Sequence, residues 1–206
     1  MKTQFGIVAL GFAIAAQGAF AQGNSTGNWL VRGRVLNLQS ANGGGTSPDL
    51  KLSINDKTFP EVDISYFTTP NIAVELVLTY PQKHDIRSNG STIGSLKHLP
   101  PSLLVQYHFT GLGAARPYVG AGINYTMFSS VKFDPAVEAA LHPSIKKSSV
   151  GAALQAGVDW PVGSGWVINL DVKKVQIKTD VKASGTKIGD FKVDPTLLSV
   201  GAGLRF

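Results

Sequence analysis

The stretch that most limits what this chain can become is its end. Pro195-Thr-Leu-Leu-Ser-Val-Gly-Ala-Gly-Leu-Arg-Phe206 alternates without a break. Leu198, Val200, Ala202, Leu204 and Phe206 fall on one side. Leu197, Ser199, Gly201, Gly203 and Arg205 fall on the other. A period of two over this length predicts a strand with one apolar and one mixed face. If the apolar face meets lipid, both edges of the strand must be paired, because an open edge there strands N–H and C=O groups without water. The last strand therefore needs a neighbour on each side, and the sheet must close on itself.

The start of the chain sets the compartment. Met1-Lys2-Thr3-Gln4, an apolar run from Phe5 to Phe20 and the Ala19-Phe20-Ala21 ending predict a secretory signal peptide over residues 1–21. Residues 22–206 are then the exported domain. No later segment has the unbroken apolar length of a membrane-spanning helix. Without cysteine, no disulfide framework is available. Mean hydropathy near neutral is what alternating lipid-facing and lumen-facing positions give.

The same alternation recurs upstream. Strands are expected at 29–38, 59–69, 72–80, 99–109, 117–128, 148–160, from Trp166, and at the C-terminal end, eight in all. In the first, Trp29, Val31, Gly33 and Val35 oppose Arg32 and Arg34. In the seventh, Ile168, Leu170 and Val172 oppose Asn169, Asp171 and Lys173, and the apolar parity then slips to Val175 and Ile177. That slip predicts a bulge or strand exit near Lys173-Lys174. Polar loops are expected at 39–58, 81–98 and 129–147, the last holding a short helix begun by Asp134 and Pro135. Long polar loops alternate with short turns, and most aromatic residues fall near strand ends. The expected fold is all-β: an eight-stranded, antiparallel, up-and-down transmembrane barrel with long extracellular loops and short periplasmic turns.

Two resemblances add to this. Gly201, Leu204 and terminal Phe206 resemble the C-terminal signal read by the bacterial outer-membrane assembly machinery, which becomes an expected partner during folding. Asn71-Ile-Ala-Val-Glu-Leu76, Lys97-His-Leu-Pro-Pro-Ser102 and Arg116-Pro-Tyr-Val-Gly-Ala-Gly-Ile-Asn-Tyr-Thr126 resemble the OmpW family, which includes the AlkL-type importers of hydrophobic compounds. Gly151-Ala-Ala153, Gly157-Val-Asp159 and Gly203-Leu-Arg-Phe206 extend the likeness over strands three to eight. The resemblance implies a Gram-negative outer-membrane barrel that passes small hydrophobic molecules inward and releases them sideways into the bilayer.

An eight-stranded lumen is about wide enough for side chains or one small ligand. The inward positions Arg32, Arg34, Glu61, Asp63, Glu75, Asp159, Asp171, Lys173 and Arg205 are expected to pair as a polar plug closing the periplasmic half. An ion path is the sharper reading of the same residues, but no spacing argues for it. A plugged barrel must release its solute through the wall. Proline gives the ladder no N–H, so Pro100 and Pro101, with Leu99, Leu103 and Leu104, form the candidate lateral gate. Pro60 and Pro195 are expected merely to end extracellular loops.

His84, His98, His108 and His142 lack metal-ligand spacing, and no serine sits in a nucleophile elbow. No catalytic set, metal or cofactor is expected. The net charge of +6 places many lysines in the outer loops, suited to lipopolysaccharide phosphates rather than nucleic acid. The alternative to a channel is a surface receptor, adhesin or structural barrel acting through its loops.

Overall fold

The computed structural model describes residues 27–206, so the expected signal peptide lies outside the described residues. In chain order the elements are β1 (Trp29–Gln39), β2 (Gly43–Thr46), β3 (Leu52–Ile54), β4 (Lys57–Phe67), β5 (Ile72–Leu78), β6 (Gln82–Ser88), β7 (Ser91–Leu99) and β8 (Ser102–His108). There follow β9 (Arg116–Phe133), α1 (Pro135–Leu141), β10 (Pro143–Ile145), β11 (Ser148–Gly163), β12 (Trp166–Val175), β13 (Lys178–Ala183), β14 (Thr186–Lys192) and β15 (Thr196–Arg205).

Eight of these close a barrel in the order β1, β4, β5, β8, β9, β11, β12, β15 and back to β1. Every neighbouring pair is antiparallel. The seam joins the chain's two ends: Trp29 and Phe206 exchange backbone hydrogen bonds of 2.9 Å, and the ladder runs from Leu30↔Arg205 to Gln39↔Thr196. No barrel strand is left with an open edge to lipid, as the terminal alternation required.

The outward positions are apolar side chains facing lipid: Val62, Val74, Leu76, Leu103, Val105, Ile123, Leu154, Ile168 and Val200 are all exposed. Trp29, Tyr66, Tyr107, Phe109, Trp160, Trp166 and Phe206 ring the short-turn end, while Tyr80 and Tyr125 stand towards the other. Amphipathic rings at these heights mark the two bilayer interfaces.

The expected polar loops are mostly sheet. Most of residues 81–98, read as a loop, together with Leu99, read as the start of a strand, form the β6–β7 hairpin about the Asn89-Gly90 turn, and the hairpin pairs with the outer end of β9 and with β3. A second sheet, β10-β13-β14-β2, is built from the 39–58 and 129–147 segments together with residues 178–192. These strands escaped the alternation test because both of their faces carry polar residues, as Gln82, His84 and Asp85 do in β6. The short helix is where it was expected, with Asp134 at its N-cap and proline in its first turn.

Of the bulge or strand exit expected near Lys173-Lys174, the exit is present and the bulge is not: β12 ends at Val175. β12 pairs with β15 in one register from Trp166↔Leu204 to Lys174↔Thr196, and with β11 in one register from Ala153↔Val175 to Pro161↔Val167. Lys173 and Val175 point the same way, into the barrel. The parity does not slip; the lining changes from charged to apolar. The change recurs where Arg34 gives way to Leu36 and Leu38 on β1, and Glu61 to Phe59 on β4.

Candidate functional site

The interior is stacked in three zones. At the short-turn end lies a small apolar cluster of Leu30, Phe67, Ala73 and Val167. Above it is a buried charge network. Above that, one continuous apolar interior runs outward from Leu36, Val77, Leu104 and Leu197 to Ile54, Ile86, Val181 and Phe191 in the extracellular sheets.

The charged zone follows from strand parity, since inward positions of five strands converge at one height. Arg32 on β1 makes a two-pronged contact with Asp159 on β11, Nε donating to Oδ1 at 3.1 Å and Nη2 to Oδ2 at 2.6 Å. Its Nη1 donates to Asp63, Ser65 and Glu75 at 3.0, 3.0 and 3.3 Å. Arg34 donates from Nε to Asp63 at 2.6 Å and from Nη2 to Glu75 at 3.1 Å. Its Nη1 lies 3.1 Å from Asp171 Oδ1 without hydrogen-bond alignment. Lys173 joins Glu61 at 2.6 Å and Asp171 at 3.1 Å. All of these side chains are buried. Charges held this deep persist only when their remaining donors and acceptors are also met.

Eight of the nine expected plug residues therefore meet. Arg205 does not. It sits half-buried at the short-turn end, its guanidinium 3.8 Å over the Phe67 ring and its Nε donating to Gly27 O at 2.8 Å. The neutral members were not picked out from the sequence. Tyr118 donates to Asp171 Oδ2 at 2.7 Å, Gln155 donates to the same oxygen at 2.8 Å, and Asn169 donates to Asp159 at 2.8 Å. Gln106 and His108 extend the network to Gln155. Their inward parity was readable; their role as satisfiers emerges only when the strands are brought together. The inward glycines have a matching purpose. A Cβ on Gly201 would press on Arg34 Cγ and on the Gly33 and Arg34 backbone, and one on Gly203 would press on Arg32 Cγ.

The candidate gate lies where the wall loses its ladder. β4 and β5 are paired up to Val62↔Leu78, and β5 and β8 up to Val77↔Ser102. Pairing resumes only at Gln82↔His98, between β6 and β7. Continued registers would put Pro60 opposite Tyr80 and Pro100 opposite Thr79, and proline has no N–H to give. Side chains meet the freed carbonyls instead. Thr79 donates to Pro60 O at 3.0 Å, and Asn124 Nδ2 donates to Pro100 O and Pro101 O at 3.0 Å each. Tyr125 N donates to Pro101 O at 3.0 Å.

Within the candidate gate, Leu104 points into the lumen, Leu103 points to lipid, and Leu99 is half-buried opposite Met127. Pro60 does not end a loop: it lies inside β4, opposite Val35. Pro195 does sit at a loop end, one residue before β15. A narrow cavity of ≈ 20 Å³ touches this part of the wall, lined by Phe59, Val77, Thr79 and Pro100, with Glu61 and Lys173 at its floor. A second, of ≈ 50 Å³, lies further out between Ile54, Ile86, Leu96, Phe133 and Val181.

The OmpW family profile matches residues 25–206. An outer-membrane protein of Sinorhizobium fredii, y4mB, is 41% identical over 86% of this chain and 80% of its own length. Outer membrane protein W of Escherichia coli is 36% identical over 91% of this chain and 92% of its own. Among solved structures, the crystal structure of OprG from Pseudomonas aeruginosa superposes with a TM-score of 0.79 at 26% identity, covering 90% of this chain and 98% of that one. With a closed eight-stranded barrel, a lipid-facing apolar band and a match over nearly all of its length, this chain belongs to the OmpW family and is a β-barrel protein of the Gram-negative outer membrane.

Proposed function

We propose that this barrel carries small hydrophobic molecules from outside the cell into the bilayer, through the apolar upper interior and out sideways between β4 and β8. The observation that carries this reading is the unladdered stretch Thr79–Pro81, flanked by Pro60 on one side and Pro100-Pro101 on the other and touched by the inner cavity. The charged zone below offers an oily solute no favourable way down, since entry there would break buried ion pairs. The wall beside the cavity is the weak direction: spreading it breaks no backbone ladder.

Both cavities are small, so a solute advances by displacing side chains rather than by filling open space. At the outer face, exposed Lys51, Lys83, Lys97, Lys132, Lys178 and Lys192 suit the phosphates of lipopolysaccharide.

Replacing Pro100 and Pro101 together with Thr restores the missing donors and lets the ladder zip through. Uptake of n-octane or a medium-chain fatty ester, measured in cells lacking other importers, is expected to fall several-fold with surface abundance unchanged. Undiminished uptake by the folded variant would reject the gate. A preference for sugars over hydrocarbons in a solute panel would overturn the whole reading.

A further inference from the structure

Between the two apolar cavities the lining turns polar. Along β7, Leu96 lines the outer cavity and Pro100 the inner one; His98 lies between them. Along β6 and the segment before it, Ile86 belongs to the outer cavity and Thr79 to the inner, with His84 and Gln82 between. Gln82, His84 and His98 are each 0% exposed. Gln82 stands directly opposite His98, and the two imidazoles lie 4.5 Å apart, tilted by 36°.

Four atoms of this trio have no partner: Gln82 Oε1, His84 Nε2 and both ring nitrogens of His98. Orphaned polar atoms are costly in a buried setting, so they call for an occupant.

Their chemistry defines what that occupant must offer. His84 Nδ1 is 2.9 Å from Asn55 O. A carbonyl only accepts, so Nδ1 carries the hydrogen and Nε2 is left as a bare lone pair. Gln82 Nε2 donates to Tyr80 O at 3.0 Å, which leaves its unpartnered Oε1 as another acceptor. A neutral His98 supplies one acceptor and one donor in either tautomer. Burial pushes both imidazoles down in pKa, helped at His98 by the His84 ring and then Lys57 and at His84 by Lys57; His98 falls to about 3, and both rings stay neutral. The trio thus presents three acceptors against two donors, the N–H of His98 and the second amide hydrogen of Gln82. A ketone or ether brings no hydrogen to share, and an alkane brings nothing.

Building on the passage proposed above, we infer that Gln82, His84 and His98 form a polar station that binds the hydroxyl group of a hydrocarbon alcohol, so the protein favours alcohols over alkanes, ethers and ketones of equal length. The hydroxyl shares its hydrogen between His84 Nε2 and Gln82 Oε1 and accepts from the N–H of His98, while its chain occupies the adjoining apolar lining.

The test uses the full mature chain in lipid nanodiscs with 15N-labelled histidine, titrated with 1-octanol, 2-octanone and n-octane. The expected result is a shift of the His84 Nε2 resonance with 1-octanol alone, with Nδ1, held by Asn55, unmoved. An equal shift with 2-octanone or n-octane, or none with 1-octanol, overturns the station. This readout concerns binding only, so it stands whether or not solute crosses.

In competition uptake, one net hydrogen bond corresponds to about five-fold preference for 1-octanol over n-octane. His84→Leu/His98→Leu should bring that ratio to about one while n-octane uptake persists. A ratio unchanged in this variant, or in Gln82→Leu with both histidines kept, overturns the assignment. Wild-type protein that takes up neither solute defeats the passage itself, and the nitrogen shift then decides the station separately.

Discussion

Arg32 touches four side chains at once, and the consequences of losing it differ sharply from those of losing Arg205. Removing the Arg32 guanidinium leaves buried Asp159 without its cation partner and takes from Asp63 and Glu75 one of the two arginines they share. Breaking one member out of such a network costs about 3–5 kcal/mol. Arg32→Met is therefore expected to lower the urea midpoint of the barrel in lipid strongly. Arg205 has a ring face and one carbonyl as partners and is half-buried, so Arg205→Met should cost about 1 kcal/mol. Equal losses in the two variants would mean that the charged zone is not a single network. Parity alone could assign Arg205 to the same face as Ser199 but not to its height. It lies past Gly203, at the short-turn end, too far along the strand to reach the carboxylates.

At the scale of elements, the β6–β7 hairpin carries a pH signature. Its outward residues Lys83 and Lys97 are exposed and charged, which places it beyond the lipid band. Burial is the main reason that His84 and His98 resist protonation; at His98 the His84 ring and then Lys57 add to it, and at His84 Lys57 adds to it while the Asn55 carbonyl, Asp85 and Asp56 oppose it. The unfolded imidazole takes a proton near pH 6.5, whereas folded His98 refuses one until about pH 3. The unfolded chain binds more protons throughout that window, so stability is unaffected above it and declines as the pH falls from about 6.5 towards 3. For His98 the loss by pH 5 is of order 1–2 kcal/mol. Amide exchange in β6 and β7 should speed up between pH 7 and 5 relative to the barrel strands, after correction for intrinsic rates, and His84→Leu/His98→Leu should abolish the difference. The barrel strands were legible because lipid on one side and lumen on the other force a two-residue rhythm. This hairpin was not legible, because its own inward face mixes Gln82, His84 and His98 with Ile86 and Leu96, and water meets it from without. Val175 shows the same limit in reverse: an apolar residue pointing inward looks like a broken strand until the lumen itself is known to be apolar there.

At the scale of the whole molecule, the seam between β1 and β15 lets the stability of the finished barrel be measured apart from its assembly. Gly201 leaves room for Arg34, so Gly201→Ala should destabilise the finished barrel by about 1–3 kcal/mol, read from its heat-dependent gel mobility. Phe206 is exposed at the lipid-facing rim. Phe206→Ala should instead reduce the amount inserted in cells while barrels refolded from urea into detergent keep nearly their original stability. If both variants act alike in both assays, the terminal residues have no separate assembly signal. The seam also fixes an address. Because Trp29 and Phe206 share a pair of hydrogen bonds at the short-turn end, the first and last barrel strands finish side by side on the inner side. Cargo fused after Phe206 is thus delivered to the periplasm, and display to the outside world has to be grafted into a hairpin tip such as Asn89-Gly90.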